Sequence, residues 1–365
     1  MEPLFIYAVA ELLLSIHISF SNLLVLFVYC RSKQVRTVTN TYIFSLALTD
    51  FLAGSLGIPL TVLSVLTRKP ESFYGCLFVH LILCILCTIS TFHMLVIALD
   101  KYLTICCKYQ LLKSRRKRAT VLISLAWIFG FLVAILPLFN AFGFVEKPKV
   151  NFYKSGEQCH FTDVVDYRYL VYVIFFATIL APTGVIIILY VRIYARIRAE
   201  EQQVKCLLRQ SDREKRMAGR RKLIRILLIL VISYGVCWYP LYIINTIDYF
   251  LPQFSINSLT LWTVVMSHMS CALNPLIYAY GMPGFKKALR QFFHIETDAN
   301  NTCAGYSCYI RSTGHKHRSL SARATHLPSY QLGSTKESLN SRKISAPATF
   351  NKNRMQQIRR QTLVC

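Results

Sequence analysis

The chain has 365 residues, of which 54% are hydrophobic and 16% are charged, and its mean hydropathy is +0.41. So much apolar surface excludes a water-soluble protein and excludes disorder over most of the chain. The net charge of +25 lies in short runs between apolar blocks, which disfavours a soluble nucleic-acid-binding protein. We therefore interpret the chain as an integral membrane protein.

Seven apolar stretches are each long enough to cross a bilayer, which takes about 20 helical residues. They are Phe5–Cys30, Thr41–Thr67, Phe73–Cys106, Ala119–Val145, Tyr167–Tyr194, Leu223–Leu251 and Ile256–Tyr280. None of them alternates with the period of two that is typical of membrane β-barrel strands. We predict an all-α fold, a bundle of seven transmembrane helices within residues 1–293.

Basic residues are concentrated in the loops after the first, third and fifth spans. These basic segments are Arg31–Arg36, Lys108–Arg118 and Arg192–Lys222. Because cytoplasmic loops carry the excess of Lys and Arg, we expect a multi-pass protein with an extracellular N-terminus and a cytoplasmic C-terminus.

The chain after the seventh span divides into two parts. Residues 284–293 combine an apolar face with a basic face, which predicts a short helix on the inner membrane surface. Residues 294–365 are rich in polar and basic residues and are predicted to form a disordered cytoplasmic tail. Cys303 and Cys308 are candidate palmitoylation sites in this tail. The runs Arg342–Ser345 and Arg359–Thr362 are candidate phosphorylation sites, and an inert solvated tail is the alternative.

Asp50 lies in the middle of the second span, where an isolated carboxylate is costly. Ser90, Ser270 and Asn274 are candidates to complete a site for a hydrated monovalent cation such as sodium around it. A protonated or merely hydrogen-bonded Asp50 is the alternative, and the spacing favours neither.

Glu11 and His268 are both predicted to be buried near the outer side of the membrane. A Glu–His pair would lower the cost of burying each, either as a contact between helices or as the wall of a ligand pocket. Thr88, Asn245 and Ser267 lie at a similar predicted depth. Several polar residues at one depth favour a pocket over contacts that only join helices.

Cys76 and Cys159 are the two cysteines predicted outside the membrane on the extracellular side. We expect a disulfide between them because that compartment is oxidising. The disulfide would hold the segment Cys159–Asp163 over the mouth of the bundle, and Phe161 would form an aromatic lid.

The spans also contain sequence motifs in a characteristic order. They are Asn22; Leu46-Ala47-Leu48-Thr49-Asp50; Cys76 and Asp100-Lys101-Tyr102; Trp127; Pro182 and Tyr190; Cys237-Trp238-Tyr239-Pro240; and Asn274-Pro275-Leu276-Ile277-Tyr278. Their order and spacing resemble the class A (rhodopsin-like) G-protein-coupled receptors. The resemblance implies a heterotrimeric G protein as partner, and it implies that receptor kinases phosphorylate the tail and so recruit an arrestin-like partner. It assigns activation and coupling to a set of inner residues, Asp100, Lys101, Tyr102, Tyr190 and Tyr278.

Within that family the chain is similar to the adenosine receptors. The similarity rests on Tyr7-x-x-x-Glu11, on Cys159–Val165, on Cys237–Asn245, and on Ser267-His268 shortly before Asn274-Pro275. It implies a plasma-membrane receptor for extracellular adenosine or a closely related nucleoside, with signalling to adenylyl cyclase.

The resemblance also assigns the ligand contacts. Phe161 would stack on the adenine ring, and Asn245 would hydrogen-bond the exocyclic amine and a ring nitrogen. Ser267 and His268 would contact the ribose hydroxyls, with Glu11 orienting the histidine. The remaining contacts are an apolar floor of Trp238 and Leu241, and Thr88 beside Cys87.

Six residues depart from the pattern of the family. Four change the pocket: Thr162 replaces a glutamate, Cys87 a threonine, Tyr242 a histidine and Tyr234 a phenylalanine. At the inner side, Lys101 replaces an arginine and Arg220 replaces a glutamate. We expect these two positive charges to repel each other, which would either raise basal activity or weaken G-protein engagement.

Several alternatives stay open at this point. One is a class A receptor for another small ligand, and another is a nucleoside binder that signals weakly because of Lys101 and Arg220. A transporter or channel is disfavoured because the chain has neither internal repeats nor a continuous polar path. An enzyme is disfavoured because no nucleophile–base set and no metal-ligand spacing occur.

Overall fold

A computed structural model describes residues 3–107, 114–139, 159, 164–205, 211–254 and 257–293. Within these ranges the chain forms eight principal helices and no β-strand. They are α1 (Pro3–Arg31), α2 (Val38–Thr67), α3 (Phe73–Ile105), α4 (Arg115–Ala134), α5 (Tyr169–Leu180 continued by Ala181–Lys205), α6 (Ser211–Phe250), α7 (Asn257–Gly281) and α8 (Pro283–Phe292). The predicted tail, with Cys303, Cys308 and both phosphorylation runs, lies outside the described residues.

The helices α1 to α6 are long and apolar enough to cross a membrane. Polar residues such as His268, Ser270 and Asn274 lower the hydropathy of α7, which packs against α1 and α6 as the seventh member of the bundle. The prediction of an all-α, seven-helix bundle is therefore confirmed.

The prediction for the fourth span was wrong at its outer end. The sequence predicted Ala119–Val145, whereas α4 ends at Ala134 and is followed by the 3₁₀ turn Leu136–Phe139. Pro137 explains the early end, because proline disfavours α-helix for the residue before it and supplies no backbone donor. Residues 140–145 lie outside the described part of the chain.

The inner ends of α5 and α6 extend further than the predicted spans. The α5 helix runs to Lys205 instead of Tyr194, and α6 begins at Ser211 instead of Leu223. The added turns are rich in Arg, Lys and Glu, which are good helix formers in water but carry no apolar signal. A prediction based on bilayer thickness therefore misses them.

The central helix α3 approaches its neighbours closely. Gly130 of α4 faces Ile89 of α3, where a Cβ atom on the glycine would lie 2.7 Å from the Cα of Ile89. One turn along α3, His93 Nε2 and Ser45 Oγ of α2 share a hydrogen bond over 2.8 Å, and Trp127 Nε1 of α4 donates to the same hydroxyl over 3.0 Å. Small residues and buried polar contacts of this kind hold membrane helices together in the absence of a hydrophobic driving force.

Irregular turns and prolines interrupt the helices in the bundle. The α2 helix contains a π-helical turn at Ala53–Gly57, and α5 begins with the π-helical segment Tyr169–Leu180. Pro240 lies inside α6 and Pro275 inside α7. Each of these features breaks the regular backbone ladder and permits a bend.

The last helix, α8, follows α7 after a single residue. Pro283 stands at its first position, where a missing backbone donor has no cost. Phe285 and Ala288 are buried against the bundle, whereas Lys286 and Lys287 are exposed. This is the amphipathic helix that the sequence predicted over 284–293.

Candidate functional site

A cavity of about 280 Å³ lies between α1, α2, α3, α5, α6 and α7. Six of the predicted ligand contacts line it: Thr88, Trp238, Leu241, Asn245, Ser267 and His268. None of the described side chains that line the cavity is Asp, Glu, Lys or Arg. The cavity therefore suits an uncharged ligand with several hydrogen-bonding groups.

The histidine on the α7 side of the cavity is held by a carboxylate. His268 Nδ1 lies 3.0 Å and 2.9 Å from the two carboxylate oxygens of Glu11. Glu11 is completely buried and stands behind the histidine instead of lining the cavity. Because this contact occupies Nδ1, the ring nitrogen left for a ligand is Nε2. The pair predicted from the sequence is thus formed.

Asn245 has a different environment from the other polar residues of the cavity. Its side chain is 8% exposed, and its amide has no hydrogen-bond partner within the described part of the chain. Because Asn245 lines the cavity, its amide donors and its acceptor oxygen are open to a ligand bound there. A ligand that offers one acceptor and one donor would satisfy it.

Two hydroxyls in the cavity wall are oriented by their own helices. Thr88 donates to the Cys84 carbonyl over 2.7 Å, and Ser267 donates to the Val264 carbonyl over 2.7 Å. Each hydroxyl proton is thereby used, so that the oxygen lone pairs are available to accept hydrogen bonds from a ligand.

The floor of the cavity is a column of aromatic rings. Trp238 lies between Tyr234 and Tyr242, with both ring centroids 5.8 Å from its own, and Tyr242 stacks on Phe175 at 5.6 Å. Thr91 of α3 and Tyr234 share a hydrogen bond between their hydroxyls at the deep end of the cavity. Tyr234 and Tyr242, noted as departures in the sequence, therefore add polar atoms to an aromatic floor.

The structure places Ser270 at this floor and not at Asp50. Trp238 Nε1 donates to Ser270 Oγ over 3.0 Å, and Ser270 donates in turn to the Ser267 carbonyl over 2.8 Å. This arrangement joins α6 to α7 directly below the cavity. The described hydrogen bonds of Ser270 therefore do not reach Asp50, and its place in a cation site stays a prediction.

The other three members of the predicted cation site do come together. Asp50 is completely buried, accepts from Ser90 Oγ over 3.1 Å and accepts from Asn274 Nδ2 over 2.7 Å. No Lys or Arg of the described chain forms an ion pair with Asp50. Either a monovalent cation held by the oxygens of Asp50 and Ser90, or a proton on Asp50, would remove the cost of this charge.

The outer end of the bundle carries the predicted disulfide. Cys76 of α3 is bonded to Cys159, with a Cα–Cα distance of 5.7 Å, and Ser64 of α2 donates to the Cys159 sulfur over 2.9 Å. His80 lies one turn below Cys76, lines the cavity and was missed, although its spacing from Cys76 is a usable signal. Cys76, His80 and Cys159 lie close together, but both sulfurs are in the disulfide, so the cysteines offer no thiolate ligand to a metal. The predicted lid residue Phe161 and its neighbour Thr162 lie outside the described residues.

Charged residues cluster at the inner end of α3. Arg118 of α4 donates to one oxygen of Asp100 through Nε and Nη2, over 3.0 and 2.8 Å. Lys101 donates to the other oxygen over 3.2 Å and to Thr39 of α2 over 2.6 Å. Arg118 was counted in the sequence only as one of several loop charges, so its role as the main partner of Asp100 was missed.

The expected repulsion between Lys101 and Arg220 does not describe this arrangement. Arg220 forms its ion pair with Glu200 of α5 over 3.3 Å, while Lys101 is held by Asp100. Each cation therefore has an acidic partner of its own.

The predicted tyrosines at the inner side are placed as follows. Tyr190 and Tyr278 are buried, with hydroxyls that lack hydrogen-bond partners among the described residues, and Tyr102 is half-buried. Two unpaired buried hydroxyls on α5 and α7 are groups that another conformation of the bundle, or water, would satisfy.

Comparison with known proteins agrees with this architecture. Residues 21–278 match the family described as 7 transmembrane receptor (rhodopsin family). The chain is 30% identical over 296 residues to the human adenosine receptor A2a, and the aligned region covers 78% of this chain and 71% of that protein. It is 31% identical over 284 residues to the sheep adenosine receptor A3, and the aligned region covers 77% of this chain and 87% of that protein. The dog adenosine receptor A2a is 29% identical over 296 residues, with the same coverage as the human protein.

Proposed function

Because the chain belongs to the rhodopsin family of seven-transmembrane receptors, we propose that it is a receptor for extracellular adenosine or a closely related nucleoside. Membership of this family makes it a multi-pass plasma-membrane receptor and not an enzyme, with a small-molecule ligand and a G protein as partners. The ligand class, the signalling through adenylyl cyclase and the orientation of the termini are the parts that we propose.

The observation that carries the proposal is the unpaired amide of Asn245 in an uncharged, aromatic-floored cavity. A carboxamide matches the edge of adenine with two parallel hydrogen bonds, one accepted from the exocyclic amine and one donated to a ring nitrogen. A purine also offers two flat faces for aromatic and aliphatic contacts such as those of Trp238 and Leu241.

The opposite wall of the cavity suits the hydroxyl groups of a ribose. His268, held by Glu11, presents Nε2, and the Ser267 oxygen has free lone pairs. The absence of Lys and Arg from the described lining favours a nucleoside over a nucleotide, since phosphate groups are bound mainly by cations. The printed names of the relatives, adenosine receptors A2a and A3, support the same class of ligand.

Ligand binding would act on the junction between α6 and α7. A nucleoside that contacts Asn245 of α6 and His268 of α7 favours whichever arrangement of the two helices lets it make both contacts. Pro240 and Pro275 lie below these contacts and permit the helices to bend. The hydrogen bond from Trp238 to Ser270 is the interhelical contact that such a movement would change first.

The inner ends of the helices would transmit this movement to the G protein. Asp100, Lys101 and Tyr102 lie at the inner end of α3, and the ends of α5 and α6 beside them are strongly basic. Because Lys101 and Arg220 each have an acidic partner, repulsion between them gives no reason to prefer a silent nucleoside binder over a signalling receptor.

Saturation binding of a radiolabelled adenosine-type antagonist to membranes that contain the full chain tests the ligand class. We expect specific binding by the natural chain and loss of at least ten-fold in affinity for Asn245→Ala, because two hydrogen bonds are removed. Ile243→Ala is the matched control, since it shortens an exposed side chain two residues away on the same helix. The absence of specific binding in well-expressed surface protein would overturn the adenosine assignment.

Cyclic AMP measurements on the same cells then test signalling separately. A nucleoside-dependent change that Asn245→Ala abolishes is expected for a receptor that couples to adenylyl cyclase. Binding without any such change would retain the ligand and reject this coupling.

We also propose that Asp50 and Ser90 hold a sodium ion when the receptor is at rest. Bound sodium would neutralise the buried carboxylate, and its loss would accompany activation. Sodium should then weaken nucleoside binding in the natural chain but not in Asp50→Asn, which has no charge to neutralise. Equal sodium effects on the two proteins would reject the site.

A further inference from the structure

Two cysteines of α3 face the cavity, and the proposed function assigns no contact to either. Cys84 and Cys87 are free thiols, and among the free cysteines in the described part of the chain they are the two that line the cavity. Both are half-buried, whereas the residues that follow them on α3, Thr88 and Ile89, are buried. The two sulfur atoms are therefore open to the contents of the cavity.

The spacing Cys84-x-x-Cys87 places the two thiols side by side. Residues three apart lie on the same face of a helix, with Cβ atoms about 5–6 Å apart. The two thiols are also close enough to interact electrostatically. Two cysteines separated by two residues are a common pair of ligands for a thiophilic metal ion. This metal-ligand spacing was missed in the sequence.

The charge balance of the cavity selects among the metal ions that thiolates bind. None of the described lining residues is Asp, Glu, Lys or Arg, so the ligands of a bound ion must themselves neutralise it. Two thiolates carry two negative charges, which a zinc ion balances. A cuprous ion would leave one negative charge uncompensated, although thiolates bind it well. Calcium and magnesium do not fit, because they take oxygen ligands.

Zinc at this pair would keep positions open toward the cavity. Among the described residues, no further His, Cys, Asp or Glu joins the two sulfurs in a group of three ligand atoms. The nearby polar atoms are oxygens, such as the Tyr169 hydroxyl, which lies 3.9 Å from the Cys84 sulfur. A four-coordinate zinc ion with two protein ligands therefore has positions left for water or for a ligand in the cavity.

We propose that Cys84 and Cys87 bind a zinc ion at the α3 wall of the cavity. Each thiol gives its proton to water, and each sulfur forms a bond to the metal, so that the zinc and its two thiolates are neutral together. The ion lies next to Thr88, which is one of the predicted ligand contacts. Bound zinc would therefore reduce the space for any ligand that reaches α3, or would bind a nitrogen or oxygen atom of that ligand directly.

Alkylation measured at each cysteine tests the site in the full chain. Purified receptor in detergent, cleared of metal with a chelator, would be treated with iodoacetamide with and without zinc, and mass spectrometry would give the rate at each cysteine. Zinc should slow the reaction of Cys84 and Cys87 about ten-fold or more, because the free thiolate is the reactive form. Magnesium should not slow it. Cys30, which is exposed, should react equally fast with and without zinc.

Two results of this experiment would overturn the proposal. One is equal protection of Cys30 and of the cavity pair, which would indicate binding of zinc to thiols in general. The other is a disulfide between Cys84 and Cys87 in the untreated receptor, since a disulfide offers no thiolate to a metal.

Cobalt(II) gives a second measurement that does not require a reagent to reach the cavity. Bound to two thiolates, cobalt should show a thiolate-to-metal charge-transfer absorption that zinc abolishes by displacement. Cys84→Ser/Cys87→Ser should lose this absorption and bind zinc about a hundred-fold more weakly. Cys106→Ser/Cys107→Ser is the matched control, because it removes a pair of free cysteines at the inner end of the same helix. It should retain both the absorption and the zinc affinity.

Single variants keep the test valid if the double serine variant is unstable. Cys84→Ser and Cys87→Ser each leave zinc with one thiolate, so each should weaken zinc binding about ten-fold or more. Unchanged zinc affinity in both single variants, or an equal loss in the control pair, would overturn the proposal. None of these outcomes depends on the nucleoside or the G protein.

Discussion

Glu11 has one hydrogen-bond partner in the described structure, the Nδ1 atom of His268, and so its function can be isolated. Glu11→Ala should let the imidazole rotate and weaken binding of a nucleoside agonist by about ten-fold or more, because a hydrogen bond to a charged group contributes about 1.5–3 kcal/mol. Glu11→Gln retains one acceptor oxygen, so its affinity for the agonist should lie between that of the natural chain and that of Glu11→Ala. Competition binding with agonists that have and lack ribose hydroxyls measures the effect.

The control for this prediction is an antagonist without a ribose. Its affinity should change little in Glu11→Ala, since it does not need the orientation of His268. A similar loss for both classes of ligand would mean that the Glu11–His268 contact only supports the packing of α1 on α7.

Arg118 offers a second test at the residue scale. Arg118→Ala would leave the buried Asp100 carboxylate with Lys101 as its only cationic partner among the described residues. We expect a loss of about 2 kcal/mol in stability, seen as a lower temperature of thermal unfolding in detergent. Lys117→Ala removes an exposed neighbour of the same charge and should have almost no effect. Equal unfolding temperatures for the two variants would contradict the structural role of Arg118.

The contacts of these residues differ in whether the sequence alone predicts them. The Glu11–His268 and Cys76–Cys159 pairs were predictable, because a buried acid needs a partner at its own depth and the outer compartment offers few cysteines. The contacts of Ser270 and Arg118 were not predictable. They depend on the rotation of α7 and α4 about their axes, which packing against neighbouring helices decides.

At the scale of elements, the contact between α3 and α4 depends on a residue without a side chain. A Cβ atom at Gly130 would lie 2.7 Å from both the Cα and the Cγ1 of Ile89, so Gly130→Ala must push the two helices apart. We expect a loss of about 1–3 kcal/mol, larger than the gain of about 1 kcal/mol from the better helix propensity of alanine. Thermal unfolding with and without antagonist measures it.

Gly184 of α5 provides the matched control for Gly130. No atom lies within 4 Å of the position that its Cβ would take. Gly184→Ala should therefore be neutral or slightly stabilising. If both variants unfold at the same temperature as the natural chain, the result would contradict the close packing of α3 on α4 at Gly130.

Helix ends were predicted less well than helix positions, for a physical reason. Apolar length reports where a helix crosses the bilayer, and it located all seven spans because exposed backbone groups are too costly in lipid. It does not report where the helix stops in water. There, Pro137 ended α4 early, and charged helix formers extended α5 and α6 by several turns.

At the scale of the whole molecule, the distribution of basic residues predicts how the bundle lies in the membrane. The described loop after α1, the start of α4 and the start of α8 all carry exposed Lys or Arg, whereas the Cys76–Cys159 disulfide lies at the opposite end. The basic end should face the cytoplasm, and the cavity beside the disulfide should face the outside, where a nucleoside can reach it.

Epitope tags at the two termini test this orientation in living cells. An antibody added to intact cells should label a tag placed before Met1 and should fail to label a tag placed after Cys365 until the cells are permeabilised. Because the sequence and the disulfide give the same orientation independently, labelling of the C-terminal tag on intact cells would contradict both arguments together. It would also reject the proposed function, since the cavity would then open to the cytoplasm and the basic ends of α5 and α6 could not meet a G protein.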